Sequence, residues 1–342
     1  MREIGSEFSY NKIIGKGIKL PKNVKDYSYT FCGRTAIETV LDNESKIKKV
    51  MLPSYCCDSV IEPFRRRGVD IYFYDVNYDD GLQINISTDA NVDAIFWCNY
   101  FGFNRKMPNF QKFIKNGGIV IEDITHSFYS SKKYDDQSHY LVASLRKWEP
   151  ILSGGYCGSL KEKMRYKPLK SPIEKFLYEK KKAMLLKKEY LEGININNKD
   201  EYLEYFSESN KWLSENYSNL KIDDESQNIL KHCINMERNI TKRKNNAKIL
   251  YDGLKDIDFI TFLFDEKDMD CPLFVPILIN KKSRNDIRDT LIENNIYCPI
   301  HWPKPKMNCN SNIYNKELSL ICDQRYDEID MLKIIEIIKK CK

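Results

Sequence analysis

The 342-residue chain has no apolar run approaching the ~18 residues that a membrane-spanning helix needs. Its first residues, MREIGSEFSYNK, lack the apolar core of a secretory signal. A cytoplasmic protein without membrane attachment is the expectation. No CxxC pair occurs among its 11 cysteines, so a zinc site is not expected, nor any other metal. Cys56 and Cys57 are adjacent and the rest are scattered in apolar surroundings, which reads as buried free thiols in a reducing compartment rather than a disulfide framework. Internal repeats and low-complexity tracts are also missing.

What is present fits a globular protein: 42% hydrophobic and 30% charged residues, in a length that suggests two domains. The formal net charge is +6, with Lys and Arg concentrated at 161–188. A basic run can bind nucleic acid or a membrane surface. Here Leu, Tyr and Met interleave at helical spacing, so a solvated amphipathic helix is expected and no nucleic-acid partner. The same basicity would help to attract a phosphorylated substrate.

VMLPSY reads as a buried strand, followed by a helix from Asp58 to Arg67 that Gly68 closes. VDIYFYDV is the next strand. The pattern recurs through AIFWCNYFGF, a helix near 108–116, and GGIVIED. This alternation predicts an α/β protein with a mostly parallel sheet and helices on both faces. Upstream, a helix from Thr35 to Asn43 follows Cys32-Gly33-Arg34. A glycine leading into a helix offers free N–H groups and the positive end of the helix dipole to an anion, or is a plain capped turn. After Gly158 the chain is helical and polar to about residue 220. From Ser226 one long helix is expected, with Ile229, Leu230, Cys233, Met236 and Ile240 as its buried stripe. It leads into a small α+β domain: strand PLFVPILI, helix SRNDIRDTLIENN, a second strand IYCPIH and a closing helix EIDMLKIIEIIKK. The expected domains are 1–225 and 226–342.

The two strand-like runs Ile119–Ile121 and Tyr140–Ala143 end in polar groups. Glu122-Asp123 follows the first, with His126 three residues on; Ser144 follows the second, with Lys147 three residues on. In open α/β folds the carboxyl ends of parallel strands face the ligand crevice. A lysine that binds pyridoxal phosphate (PLP) covalently works with a carboxylate that keeps the ring nitrogen protonated. A serine before the lysine can donate to the phosphate, and Gly154-Gly155 lets the backbone pass close to a ligand. Taken singly, each residue reads better as an ordinary strand-end acid or a solvated lysine, since lysine is among the commonest residues.

Residues 119–158 as a series resemble the core of the PLP-dependent DegT/DnrJ/StrS sugar aminotransferases, which have the aspartate aminotransferase-type fold. The resemblance extends through CGRTAIETVL, LPSYCCDSVIEPFRRRGVDIYFYDV, IFWCNYFGF, ERNITKRKNNAKILYDGL, NIYCPIHWP and ICDQRYDEID. It implies a large PLP-binding domain with a mostly parallel sheet, 1–225, and a linking helix with a small α+β C-terminal domain, 226–342. It implies that Lys147 carries PLP and acts in catalysis, and that Asp123 pairs with the ring nitrogen. It places His126 beside the cofactor's phenolic oxygen, and Ser144 with the Gly33-Arg34 turn at its phosphate. Where the family has an aromatic ring stacked on the cofactor this chain has Cys57, for which Tyr55 or His126 can compensate. Tyr100, His301 and Trp302 fall on the substrate side, with core packing or a strand-end hydrogen bond as the plainer readings. Arg325 would pair with a substrate carboxylate, or locally with Asp323 or Asp327. The neighbouring-subunit asparagine–arginine motif of the family is not found here.

The resemblance thus implies an aminotransferase moving nitrogen from glutamate to a nucleotide-linked keto sugar, in surface polysaccharide or related glycan biosynthesis, and working as a homodimer. A PLP-dependent sugar dehydratase and a non-catalytic binding or regulatory protein of the same fold are the alternatives.

Overall fold

The computed structural model describes residues 3–87, 91–131, 134–307 and 309–341. In chain order its first elements are β1 (Ile4–Gly5), β2 (Asp26–Thr30), α1 (Gly33–Asn43), β3 (Lys49–Pro53), α2 (Asp58–Arg66), β4 (Asp70–Tyr78), β5 (Leu82–Asn85), β6 (Ala94–Cys98), α3 (Gln111–Lys115) and β7 (Ile119–Asp123). There follow β8 (Tyr140–Ser144), β9 (Gly155–Ser159), α4 (Glu174–Leu191), α5 (Lys199–Glu215), α6 (Asp224–His232) and α7 (Met236–Leu254). The last are β10 (Ile260–Phe262), β11 (Val275–Ile279), α8 (Arg284–Glu293), β12 (Ile296–Tyr297), β13 (Glu317–Leu320) and α9 (Glu328–Lys340). They pack as two compact units. The first comprises the residues up to Glu3, Glu7–Ser45 and Tyr140–Met236; the second comprises Ile4–Ser6, Lys46–His139 and Glu237–Lys342.

In the first unit β9 lies between β2 and β8 and is antiparallel to both, with Ser144 opposite Gly155. Helices α4 and α5 bury Ala183, Met184, Tyr190, Tyr202 and Phe206 in one apolar cluster. The basic run is therefore not all solvated: Lys180 and Lys187 of α4 are buried. Lys187 Nζ donates to the Glu7 carbonyl at 2.6 Å, and Lys180 Nζ lies 4.6 Å from the centre of the Phe206 ring. Long aliphatic stems let both ammonium groups sit under a helix that presents its other lysines to water.

The single helix expected from Ser226 is two helices, α6 and α7, broken at Cys233–Asn235. The Ile234 carbonyl accepts the N–H groups of Lys16 and Gly17, both at 3.0 Å. The approach is so close that a Cβ on Gly15 would stand 2.2 Å from the Ile234 carbonyl carbon. The N-terminal segment thus takes up a carbonyl that a continuous helix would have used.

In the second unit β7, β6, β3 and β4 are parallel neighbours in that order, and β5 adds antiparallel to β4. Every residue of β6 is buried, as suits a parallel strand covered on both faces. Gly68, at φ +67°, follows α2 as the expected cap. A second, antiparallel sheet has β11 between β10 and β13. The strand expected at IYCPIH is shorter and pairs elsewhere: Ile296–Tyr297 run parallel to Ile4–Gly5. Pro299, without an N–H, ends it, and β13 takes the place beside β11.

Candidate functional site

The chemistry of the first unit gathers at the end of β8. The next three residues, Leu145–Lys147, make one 3-10 turn. Ser144 and Lys147 consequently line one cavity of about 200 Å³, together with Arg146, Glu149, Glu7 and Lys180. A buried water needs only ~10–15 Å³ by this kind of measure, so the cavity has room for part of a small molecule. The Lys180 ammonium, 3.4 Å from Glu7, holds the Glu7 carboxyl down at about 2, against the cost of burial. Burial in turn lowers the Lys180 ammonium below the usual lysine value, more than Glu7 can offset.

Gly33 opens α1 directly against Ser144. A Cβ at Gly33 would lie 3.3 Å from the Ser144 Cβ. The side chain of the preceding Cys32 meets the Thr35 hydroxyl at 3.5 Å but caps no backbone N–H of the first turn, which also contains no acidic residue. A helix N-terminus left uncapped beside a serine is an anion seat. A close-approach glycine, a hydroxyl, helix N–H groups and a cavity lysine fit a phosphate-bearing aldehyde cofactor such as PLP. The guanidinium carbon of Arg34 lies 5.9 Å from the centre of the Tyr217 ring.

The second unit carries the other expected residues. Successive residues of β7 point to opposite faces, and the two carboxylates at its end have different surroundings. Glu122 is buried and accepts from Asn99 Nδ2 at 2.6 Å, the Asp135 N–H at 2.8 Å and the Ser138 hydroxyl. Burial pushes it up to about 7 despite these bonds. Asp123 is partly exposed, and its Oδ1 accepts the Thr125 N–H at 2.8 Å. His126 Nδ1 accepts the Phe101 N–H at 3.2 Å, which leaves the ring proton on Nε2.

Tyr55, Tyr100, His126, His301 and Trp302 come together in one aromatic cluster. Tyr55 and Tyr100 stack with centroids 5.7 Å apart, Trp302 lies 5.0 Å from Tyr55, and His126 stacks on Trp302 at 5.5 Å. The Tyr55 hydroxyl donates to the His301 carbonyl, and the Tyr100 hydroxyl donates to the Tyr55 carbonyl at 2.6 Å. Burial raises both phenols well above their usual range, so they act as hydrogen-bond donors rather than acids. Cys57 stands at the start of α2, where its Sγ accepts the Ser59 hydroxyl at 3.0 Å. Arg325 makes the local pair: its Nε and Nη2 reach Asp323 at 2.9 and 2.7 Å, and Nη1 donates to the Ser6 carbonyl at 3.2 Å. Burial would raise Asp323, but the guanidinium outweighs it and holds the carboxyl below the usual range.

Sequence reasoning missed Glu317 and Ser319. The Glu317 carboxylate accepts the His301 N–H at 2.6 Å and the Ser319 hydroxyl, while Ser319 Oγ lies 2.8 Å from His301 Nδ1. Burial pushes Glu317 up to about 8. The available signal was ELSL itself, a buried strand with polar residues two apart on one face. Arg146, Glu7 and Lys180 were also missed, and nothing local in their sequence marks them.

Among the described residues no group of three or more His, Cys, Asp or Glu could hold a metal ion, and no helix is long and apolar enough to cross a membrane. All eleven cysteines are free.

No protein-family model and no curated protein matches this sequence. Solved structures do match in three dimensions. The Helicobacter pylori aminotransferase PseC, involved in the biosynthesis of pseudoaminic acid, superposes with a TM-score of 0.64 at 15% identity over 99% of each chain. A DegT DnrJ EryC1 StrS aminotransferase from Brucella abortus gives 0.59 at 15% identity, over 93% of this chain and 86% of the other. The histidinol-phosphate aminotransferase from Clostridium acetobutylicum gives 0.57 at 15%, over 94% and 84%. At such identities the likeness establishes the architecture, and one fold serves many reactions. By this measure the chain has the α/β fold of the PLP-dependent aminotransferases.

Proposed function

We propose that the protein is a PLP-dependent aminotransferase that moves an amino group from glutamate to a nucleotide-linked keto sugar, in surface polysaccharide or related glycan biosynthesis. The observation that carries this reading is the single cavity lined by Ser144 and Lys147, with Gly33 and the uncapped α1 N-terminus against Ser144. The fold supports it, as do fold neighbours named as aminotransferases, one of them involved in the biosynthesis of pseudoaminic acid.

Bound PLP would supply an electron-accepting ring that lets a carbon next to nitrogen release its proton. Lys147 Nζ holds the cofactor, then takes that proton and returns it. A lysine in the cavity wall beside Arg146 and Lys180 is placed for both tasks. Asp123 keeps the ring nitrogen protonated, and its carboxylate is steadied by the Thr125 N–H. His126, with its proton on Nε2, presents a donor to the phenolic oxygen. The Ser144 hydroxyl, Gly33 and the first turn of α1, including the Arg34 backbone, take the phosphate. Tyr55, Tyr100, His301 and Trp302 wall the substrate side. Arg325 is assigned to its pair with Asp323 rather than to substrate.

The same proposal includes a functional division into a PLP-binding domain, 1–225, and a linking helix with a small domain, 226–342. It also includes a homodimer and a cytoplasmic location. Retention of Lys147 as a proton carrier favours transamination over sugar dehydration, and a non-catalytic binding protein would have no use for such a lysine.

The test supplies glutamate carrying heavy nitrogen and a panel of nucleotide keto sugars, with products read by mass. Label in the sugar supports the aminotransferase. Conversion of the donor with an unlabelled, deoxygenated sugar supports a dehydratase. No conversion of any donor would leave a binding protein.

A further inference from the structure

Arg146 has no task in the chemistry described so far. The 3-10 turn after β8 sets it beside Lys147 in the same cavity wall. Its Nε is buried without a hydrogen-bond partner, and among the described residues Arg146 makes no hydrogen bond or ion pair. The other charges of the cavity are differently placed. Lys180 faces Glu7 at 3.4 Å and Asn210 at 3.5 Å, and Asn210 donates to Glu7 at 3.0 Å, so this pair is closed on itself. Glu7 acts on Arg146 only through space. The lining sets three cations, Arg146, Lys147 and Lys180, against the two acids Glu7 and Glu149.

A buried guanidinium N–H without an acceptor is costly. Its fork of donors matches a carboxylate or a phosphate edge to edge. The phosphate seat proposed for this unit lies at Gly33 and Ser144, where N–H groups of the first turn of α1 would serve it. In transamination the donor's α-carboxylate is two bonds from the nitrogen that must arrive where Lys147 Nζ was. It therefore has to lie beside Lys147, in the cavity that Arg146 lines.

We propose that Arg146 is the seat for the carboxylate of the amino-acid donor, a specificity determinant next to Lys147 in a cavity whose other ion pair is closed. The donor's identity as substrate rests on the aminotransferase reading; the carboxylate site itself does not.

The experiment measures calorimetric binding of glutarate, a dicarboxylate with no amine to react, to the holoprotein and its Arg146→Gln and Arg146→Lys variants. Loss of an ion-paired hydrogen bond predicts affinity weaker by roughly ten- to hundredfold in Arg146→Gln. Arg146→Lys, with the charge but without the fork, should fall between it and the wild type, which keeps the test valid if the glutamine variant folds poorly. The KM for glutamate should rise by a similar factor, while PLP retention and the KM for the keto sugar stay unchanged. Glutarate that fails to bind the wild type, or binds all three proteins alike, overturns the proposal. So does a loss that falls on PLP retention, relieved by inorganic phosphate, since Arg146 would then belong to the phosphate seat. A rise confined to the keto-sugar KM overturns it in favour of a diphosphate contact. If Arg146→Gln loses glutarate but the wild type turns over no amino donor, the carboxylate site stands and the aminotransferase reading fails.

Discussion

The two units build their parts of the chemistry from different materials. In the first, the working groups are charges and backbone: Lys147, Arg146, the Glu7–Lys180 pair, and the open N-terminus of α1 against Ser144. In the second they are rings: Tyr55, Tyr100, His126, His301 and Trp302 pack on one another, with carboxylates behind them. Charged groups act over distance and must be left with something to bind. Rings act by shape and must be held still. The first unit accordingly leaves a cavity and an unmet Arg146 N–H beside Lys147, whereas the ring cluster of the second pairs its polar groups with one another and with Glu317 and Ser319. Covalent and proton chemistry should therefore fail sharply when the first unit is altered. Changes in the ring cluster should be graded.

The largest effect tests the charged side. Lys147→Ala removes the proposed proton carrier, so turnover should fall by at least about 10²–10⁴-fold. Borohydride treatment of the wild type followed by peptide mapping should find PLP on Lys147; finding it on another lysine would end the assignment. Next is the end of β7, where neighbouring carboxylates should behave oppositely. Asp123→Asn should keep PLP but lose about ten- to hundredfold in turnover, as expected for an ion-paired hydrogen bond. Glu122→Gln, in its buried web of donors, should change turnover far less. Similar losses in both variants would mean that the face assignment is wrong.

A smaller effect appears as a pH slope. Glu317 is pushed from the ordinary 4.5 to about 8 by burial. The folded protein therefore keeps this proton while the unfolded chain has already lost it. Its stabilising contribution is full below pH 4.5 and is lost as pH rises toward 8, at a slope of up to about 1.4 kcal/mol per pH unit. Urea unfolding across that range should show the decline, and Glu317→Gln should flatten it. An equal slope in the variant would assign the titration elsewhere. The smallest effect is Tyr55→Phe, which removes one hydrogen bond to the His301 carbonyl and should cost about 1 kcal/mol in stability. Turnover should be little changed if Tyr55 is a wall. A hundredfold loss would instead give its hydroxyl a chemical role.

Legibility divided along the same line. The strand-end positions of Ser144, Lys147, Asp123 and His126 were readable, because strand runs are local patterns and each residue sits within three residues of one. The β–α–β order of the second unit was readable for the same reason. The single helix read from Ser226 was wrong because its break answers to residues 16 and 17, some two hundred positions away, and helical periodicity has no knowledge of a competing donor. Lys180 and Lys187 were read as solvated because a lysine's surroundings are decided by what packs over it: Glu7 and the Phe206 and Tyr202 rings. The second strand of the small sheet was misplaced because which strand becomes a neighbour depends on where the Pro299 break sends the chain.

The sequence by itself determined the α/β alternation, the strand-end lysine and acid, and the glycine that opens α1, since each follows from short-range sterics and hydrogen bonding. Only the tertiary structure decided which charges are buried, that Arg325 answers to Asp323 and the backbone near Gly5, and that Glu317 and Ser319 stand behind His301. It also decided that Arg146 is left with an unmet N–H beside Lys147. Desolvation and long-range pairing depend on the surroundings in space, and residues distant in sequence supply them.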